Sequence, residues 1–175
     1  MVSVVSAATH LDGSDLERRV WEILEQVPDP EIPILSVVDL GIVRFASITE
    51  DETIHVGLSP TYSGCPATDV IKASVQQALR QAGFERFEVT SVLAPAWTSD
   101  WISEAGRQKL LEYGIAPPAL AVSSPRQLGR ADSPLACPRC GSPRSQRISE
   151  FGSTPCKALY RCEDCLEPFD YFKCH

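Results

Sequence analysis

The chain has 175 residues, 43% of them hydrophobic, and a formal net charge of −7 at pH 7. This length allows one ordinary domain and a small appendage, while no stretch is long and apolar enough to span a bilayer. The acidic balance argues against a nucleic-acid partner, because phosphates need cationic groups near them. Residues 1–13 lack the basic and apolar segments of a secretory signal, so we expect a frayed N-terminus and a cytoplasmic protein without a membrane partner.

The first predicted helix has Ser14 as its N-cap, in a capping-box pattern with Glu17. An apolar stripe at helical spacing continues to Val27, and Pro28 ends the helix. Two prolines in residues 29–33 push the residues before them towards extended backbone. This segment is therefore predicted to be a stiff connector.

Alternating and helical apolar patterns continue through the next eighty residues. They predict a hairpin of two strands, then a helix, a strand and a helix, at about residues 42–48, 53–59, 66–82, 87–93 and 98–113. Thr98 or Ser99 can cap the last helix, and Gly114 ends it. The order α-β-β-α-β-α favours a two-layer α/β domain over residues 14–115.

The loop before the second predicted helix carries Cys65, the only cysteine in the first 136 residues. Proline is favoured at the first position of a helix, so Pro66 at that position makes Cys65 the N-cap. The free N–H groups of the helix would then stabilise a thiolate able to attack electrophiles or bind a soft metal. The alternative is that Cys65 is a small buried hydrophobic residue.

Residues 116–136 are rich in proline, alanine and serine and are predicted to form a linker. In residues 137–175, two C-x2-C pairs follow, Cys137 with Cys140 and Cys162 with Cys165. Four thiolates in this spacing predict a structural zinc site, with iron or an iron–sulfur cluster as the rival. A segment this short needs the metal to fold, which indicates a zinc ribbon. Because the linker separates its core from that of the first domain, loss of the metal is expected to unfold residues 137–175 and to leave the first domain folded.

Three further metal-binding side chains remain in the ribbon: Cys156, Cys174 and His175. They are either spare residues that pack in the ribbon or a second soft metal site. In the first domain, His10 and His55 are the only histidines. No nucleophile has an evident base beside it, so we do not predict an enzyme.

The first 115 residues resemble the MIP18 (DUF59) family of iron–sulfur assembly domains. Three motifs carry this resemblance: Asp29-Pro30-Glu31-Ile32-Pro33, Asp39-Leu40-Gly41-Ile42-Val43 and Thr61-Tyr62-Ser63-Gly64-Cys65-Pro66. The resemblance implies that Cys65 is a functional thiol that takes a transient iron–sulfur cluster or iron. It also marks Asp29, Glu31, Asp39, Thr61 and Gly64 as motif residues.

The whole chain, apart from its N-terminus and linker, is similar to the family of D subunits of bacterial phenylacetyl-CoA oxygenases. Additional motifs over residues 95–106, 113–118 and 151–162 support this. The similarity implies an accessory protein of phenylacetate catabolism that helps assemble or maintain the cluster of the oxygenase reductase. Its partners would be that reductase and the other oxygenase components. The alternative is a structural or regulatory subunit without a role in cluster transfer.

Overall fold

The structure, a computed structural model, describes residues 13–62, 64–118 and 135–173. The predictions for His10, Cys174 and His175, and for most of the frayed N-terminus and the linker, lie outside these residues. Among the described residues, no helix has the length and apolar character needed to cross a membrane.

The elements confirm the predicted α/β order, and four short strands complete the C-terminal part. They are α1 (Gly13–Leu24), β1 (Val43–Ile48), β2 (Ile54–Leu58), α2 (Thr68–Gln81), β3 (Phe87–Ser91), α3 (Glu104–Tyr113), β4 (Ile115–Ala116), β5 (Ser145–Ser149), β6 (Lys157–Cys162) and β7 (Pro168–Phe172).

The first sheet has the strand order β1-β2-β3. Strands β1 and β2 form the predicted antiparallel hairpin, and β3 runs parallel to β2 with Val89 opposite Val56. Helix α1 contacts β1, α2 contacts β3, and the two helices contact each other. Their buried apolar stripes include Val20, Leu24, Val75 and Leu79. Helices and sheet therefore make two layers around one core.

Two helix boundaries differ from the prediction. Helix α1 includes Ser14, which is therefore not its N-cap, and it ends at Leu24, before the expected stop at Pro28. The carbonyl of Val27 accepts a hydrogen bond from Val37 instead of continuing the helix. Helix α3 is capped by Ser103, whose hydroxyl accepts a bond from the Gly106 N–H at 2.9 Å.

Thr98 and Ser99, the predicted caps of α3, belong instead to a separate 3₁₀ turn at Ser99–Trp101. Strand β3 is shorter than predicted, and Leu93 beyond its end is 73% exposed. Gly114 does end α3 as predicted, with a left-handed φ of 86° that glycine adopts without steric cost.

The second sheet has the order β4-β7-β6-β5, and its first strand comes from the end of the α/β domain. Ala116 pairs with Tyr171 in β7 and is only 1% exposed. It packs with Cys137, Cys162 and Phe169 in the core of the ribbon. Ala116 is thus not the first residue of a linker, because strand pairing and burial fix it in the ribbon sheet.

The ribbon in turn supplies residues to the core of the α/β domain. Phe172 is 2% exposed and packs edge-to-face on Trp97, with ring centroids 6.2 Å apart. Cys156 is buried in the same core. Our expectation of two separate cores is therefore wrong: each part contributes side chains to the core of the other.

Candidate functional site

A small cavity lies where the loop after β2, the acidic connector and the ribbon meet. Its volume is about 20 Å³, which is room for one water-sized particle. Apolar lining comes from both parts of the molecule and includes Ile71 and Phe172. The polar and sulfur-bearing lining residues are Asp29, Glu31, Thr61, Thr68, Cys65 and Cys156.

Asp29 shapes the acidic wall of this cavity. One of its carboxylate oxygens accepts hydrogen bonds from the N–H groups of Glu31 and Ile32, at 2.9 and 2.8 Å. Burial raises the pKa of the Asp29 carboxyl, and the two N–H donors oppose that rise only in part. The predicted stiff connector is therefore a turn held by Asp29, and it presents Glu31 to the cavity.

Cys65 lines the cavity, but it is not the helix N-cap that we predicted. The N-cap of α2 is Ala67, with no side-chain hydrogen bond, and the helix begins at Thr68. The turn before it places the Cys65 carbonyl 3.2 Å from the Thr68 N–H. The half-buried Cys65 is therefore not a helix cap, and its side chain lines the cavity instead.

Tyr62 is a neighbour of Cys65 that the sequence analysis did not single out. Burial, followed by the adjacent Cys65 thiol and the Glu31 charge, raises the pKa of the Tyr62 hydroxyl to about 12. The Tyr62 phenol therefore keeps its proton to a higher pH than an ordinary tyrosine does. Its position inside the Thr61–Pro66 motif was the available signal for its importance.

Cys156 reaches the same cavity from the ribbon. Its sulfur lies 3.2 Å from Glu31 Oε2 and 3.0 Å from Thr154 Oγ1. Burial raises the pKa of the Cys156 thiol to about 12, opposed by the Thr154 contact and reinforced by Glu31. The thiol therefore keeps its proton at neutral pH and donates a hydrogen bond to the Glu31 carboxylate.

Asp39 does not line the cavity, although it belongs to the second acidic motif. Its carboxylate accepts bonds from the Ser36 N–H at 3.0 Å, Lys109 Nζ at 2.6 Å and Ser103 Oγ at 3.3 Å. Burial opposes ionisation, but Lys109 and Ser36 more than offset it and lower the pKa of Asp39. Asp39 thus ties the motif to α3.

Gly64 also differs in role from the residues that line the cavity. It has a left-handed φ of 84°, and a Cβ added there would meet nothing within 4 Å. The position therefore favours glycine because of its backbone conformation, not for lack of space.

The four predicted metal ligands come together in the ribbon. All their sulfur atoms lie within 4.8 Å of one another. Cys137 is 3.8 Å from Cys165, and Cys140 is 3.6 Å from Cys162, sulfur to sulfur. Sulfurs arranged tetrahedrally at metal bond lengths of about 2.3 Å are about 3.8 Å apart. The arrangement therefore fits a closed four-thiolate metal site.

Backbone N–H groups support the sulfur atoms of both C-x2-C turns. Arg139 N–H points to the Cys137 sulfur at 3.4 Å, and Cys165 N–H to the Cys162 sulfur at 3.5 Å. Gly141 follows the first turn with a left-handed φ of 75°. Such donors favour the charged thiolate, the form that binds metal.

Two family models match the two parts of the chain. Residues 17–93 match the model described as iron–sulfur cluster assembly protein. Residues 121–173 match the model described as PaaD zinc beta ribbon domain. The first match includes Cys65 and the acidic motifs, and the second includes all four clustered cysteines and Cys156.

Individual relatives cover either most of the chain or about half of it. A protein of Escherichia coli (strain K12), named as the D component of 1,2-phenylacetyl-CoA epoxidase, is 49% identical over 158 residues, which is 89% of this chain and 91% of that protein. The Fe–S protein maturation auxiliary factor YitW of Bacillus subtilis (strain 168) is 35% identical over 50% of this chain and 86% of its own. A crystal structure of a DUF59 domain from Bacillus anthracis is 26% identical, with a TM-score of 0.52 over 56% of this chain and 93% of that one.

Proposed function

Because this chain belongs to the family of 1,2-phenylacetyl-CoA epoxidase D subunits, we propose that it helps to assemble or maintain the iron–sulfur cluster of the epoxidase reductase. In this role the chain is an accessory protein of phenylacetate degradation and not an enzyme. It acts in the cytoplasm, where the reductase and the other epoxidase components are its partners.

The position of Cys65 carries this proposal. It lies in a domain that matches the iron–sulfur cluster assembly model, and it shares a cavity with Asp29, Glu31 and a second thiol. Thiolates and carboxylates are ligands that iron accepts. We propose Cys65 as the functional thiol that contacts iron or a cluster in transit, with Thr61 and the two carboxylates as its surroundings.

The ribbon metal is proposed to be zinc with a structural role. Four cysteine ligands leave no open position for a substrate, which is typical of structural zinc sites. The fold of the ribbon depends on this metal, because its own core is small: Ala116, Cys137, Cys162 and Phe169 are its buried members among the described residues.

A structural subunit of the epoxidase is the second candidate function. The ribbon exposes large apolar side chains, Ile148 at 54%, Phe151 at 61% and Leu166 at 58%. Such side chains suit a lasting interface with another component. In that case the chain co-purifies with the oxygenase in fixed proportion, and Cys65 has no role in the cluster content of the reductase.

Reductase purified from cells with and without this chain separates the two functions. Under the maturation proposal, reductase from deletion cells contains less iron and sulfide per polypeptide, and the cells fail to grow on phenylacetate. A plasmid copy of the chain restores both. Full iron and sulfide, with normal turnover alongside purified oxygenase, would instead support the structural role.

A further inference from the structure

A groove lies between the ribbon sheet and the acidic connector, and neither Cys65 nor Cys156 lines it. Its volume is about 410 Å³, within the range of roughly 300–1,000 Å³ of small-molecule sites. Leu159 in β6 is opposite Asp170 in β7, and Lys157 is two residues before Leu159. These three side chains therefore share one face of the sheet. That face forms the floor of what we call the Lys157 groove.

The ammonium of Lys157 is a buried charge in the lining of this groove. The residue is only 6% exposed. Its nearest carboxylate oxygen, Asp170 Oδ2, is 3.7 Å from Nζ, which is too far for a hydrogen bond. Among the described residues, no oxygen accepts a hydrogen bond from Nζ. Because an ammonium carries three donors, Nζ has donors left for an acceptor oxygen of a bound molecule.

Arg139, on the first C-x2-C turn, adds a second positive charge to the lining. Its guanidinium lies over the backbone at the end of α3, since a Cβ added to Gly114 would be 3.2 Å from Arg139 Nη2. Within the described part of the chain, this guanidinium has neither an ion pair nor a hydrogen bond. One groove thus contains two cations whose hydrogen-bond donors are available.

The two carboxylates in the lining, by contrast, already accept hydrogen bonds. Glu31 accepts one from the Cys156 thiol at 3.2 Å, and Asp170 accepts one from Ser153 Oγ at 3.3 Å. Their negative charges disfavour a doubly charged ligand, such as a phosphate, more than a singly charged one. The groove therefore matches a ligand with a single carboxylate, whose oxygens accept hydrogen bonds from the cations.

The rest of the lining is mainly apolar and includes Ile32, Ile115, Leu159 and Phe169. We propose that the Lys157 groove binds a small organic acid, whose carboxylate contacts Lys157 and Arg139 and whose hydrocarbon body packs on these apolar side chains. Neither Cys65 nor the ribbon metal takes part. The site therefore goes beyond the proposed maturation function and does not depend on it.

Hexanoate is the test ligand, and hexanamide, which has the same chain but no charge, is the matched control ligand. Each is titrated into full-length, zinc-loaded protein, and the backbone amide signals of residues 157–159 and 168–170 are followed by NMR. Hexanoate is expected to shift these signals saturably, with a Kd in the millimolar range or below. Hexanamide is expected to bind at least about tenfold more weakly, because its neutral oxygen accepts weaker hydrogen bonds.

Substitution of either cation is expected to weaken hexanoate binding. Lys157→Met is expected to weaken it at least about tenfold, because a buried charged donor is lost. For Arg139→Gln we expect about threefold, because Arg139 is exposed and solvent screens its charge. Arg147→Gln is the matched control variant, since it removes an exposed arginine of the ribbon that does not line the groove. It is expected to bind hexanoate as wild type does.

Zinc content and circular dichroism verify the fold of each variant. If Lys157→Met does not fold, Arg139→Gln still tests the site, because substitution of an exposed side chain has little effect on stability. The proposal would be overturned by any of three results: no saturable shift with hexanoate, equal binding of hexanamide, or undiminished binding by either folded variant.

Discussion

Asp29 and Asp39 belong to neighbouring acidic motifs, yet their environments shift their ionisation in opposite directions. The pKa of the Asp39 carboxyl is lowered from its ordinary value near 3.8, and that of Asp29 is raised. Ionised Asp39 therefore stabilises the fold above that ordinary value, and this contribution is lost as the pH falls through its folded pKa. For Asp29 the dependence of stability on pH is the opposite. Burial disfavours its charged form, so its contribution to stability is lost as the pH rises through its raised pKa.

Asp39→Asn is expected to lower the free energy of unfolding by roughly 1–2 kcal/mol near neutral pH, because it removes a charged hydrogen-bond acceptor. Lys109 is half exposed, so the ion pair itself contributes little of this. Urea unfolding at several pH values measures the effect. The difference from wild type is expected to shrink as the pH falls below about 3.8.

Asp29→Asn is the matched control, because the oxygen that accepts both N–H groups is retained in asparagine. Relative to this variant, the wild type is expected to lose stability as the pH rises through the raised pKa of Asp29. The same pH trend in both variants would contradict the two opposite environments.

Cys65 and Cys156 are expected to differ in reactivity although they line one cavity. Cys156 is buried and its pKa is raised to about 12, so almost no thiolate is present near neutral pH. Iodoacetamide is therefore expected to label Cys65 before Cys156, as followed by mass spectrometry of the peptides. Equal rates, in protein whose zinc ligands stay protected, would contradict the hydrogen-bonded position of Cys156.

At the residue scale, the sequence indicates candidate residues that lie in short motifs, but it does not indicate contacts between residues far apart in the chain. Cys65 and the four ribbon cysteines stand out because of their neighbours in the sequence. The Cys156–Glu31 contact joins residues 125 positions apart, and no local pattern indicates it. The sequence alone therefore leaves both interpretations of Cys156 open.

At the scale of elements, periodicity predicted the helices and strands correctly, while helix starts were less predictable. Proline at a first helical position suggested Cys65 as a cap, but residues 65–68 form an additional turn before α2, closed by the hydrogen bond from the Thr68 N–H to the Cys65 carbonyl. The cap of α3 is likewise Ser103 and not the predicted Thr98 or Ser99, because residues 99–101 form a 3₁₀ turn. Both shifts follow from local backbone conformations that apolar spacing does not encode.

The two C-x2-C turns lead to a prediction about the ribbon metal. The purified protein is expected to contain one zinc per chain, because the four sulfurs already have the spacing of a tetrahedral site. Elemental analysis is expected to show this zinc retained in Cys156→Ser and Cys174→Ser and lost in Cys140→Ser. Substantial iron with visible absorption, in place of zinc, would show that the ribbon holds a different metal.

At the scale of the whole molecule, the exchange of buried residues between the two parts predicts coupled stability. Sequence alone suggested that loss of zinc would unfold residues 137–175 and leave the first domain intact. Because Phe172 packs on Trp97 in the first core, we now expect a chelator that removes zinc to destabilise the α/β domain too.

Tryptophan fluorescence measures this coupling, since all three tryptophans lie within the first 101 residues. Zinc removal is expected to change their emission and to lower the urea midpoint of the first domain. Phe172→Ala is the matched variant: with zinc still bound, it is expected to lower the free energy of unfolding by about 3–5 kcal/mol. Unchanged emission and an unchanged midpoint after zinc removal would show that the cores are independent.

The fold of each part could be predicted from the sequence because each has its own local pattern, alternating and helical in one, cysteine pairs in the other. Their association could not, because it depends on Ala116, Cys156 and Phe172, which look like ordinary members of their own segments. A proline-rich stretch also suggested separation, although the residues on either side of it enter one sheet.

The iron and sulfide content of the epoxidase reductase, purified from deletion cells that express either wild-type chain or Cys65→Ser, tests the central claim most directly. We expect a full cluster content with the wild-type chain and a clear deficit with Cys65→Ser, at equal levels of the two chains and with zinc still bound in both. Equal iron and sulfide in the two reductase preparations would contradict a maturation role for the Cys65 site.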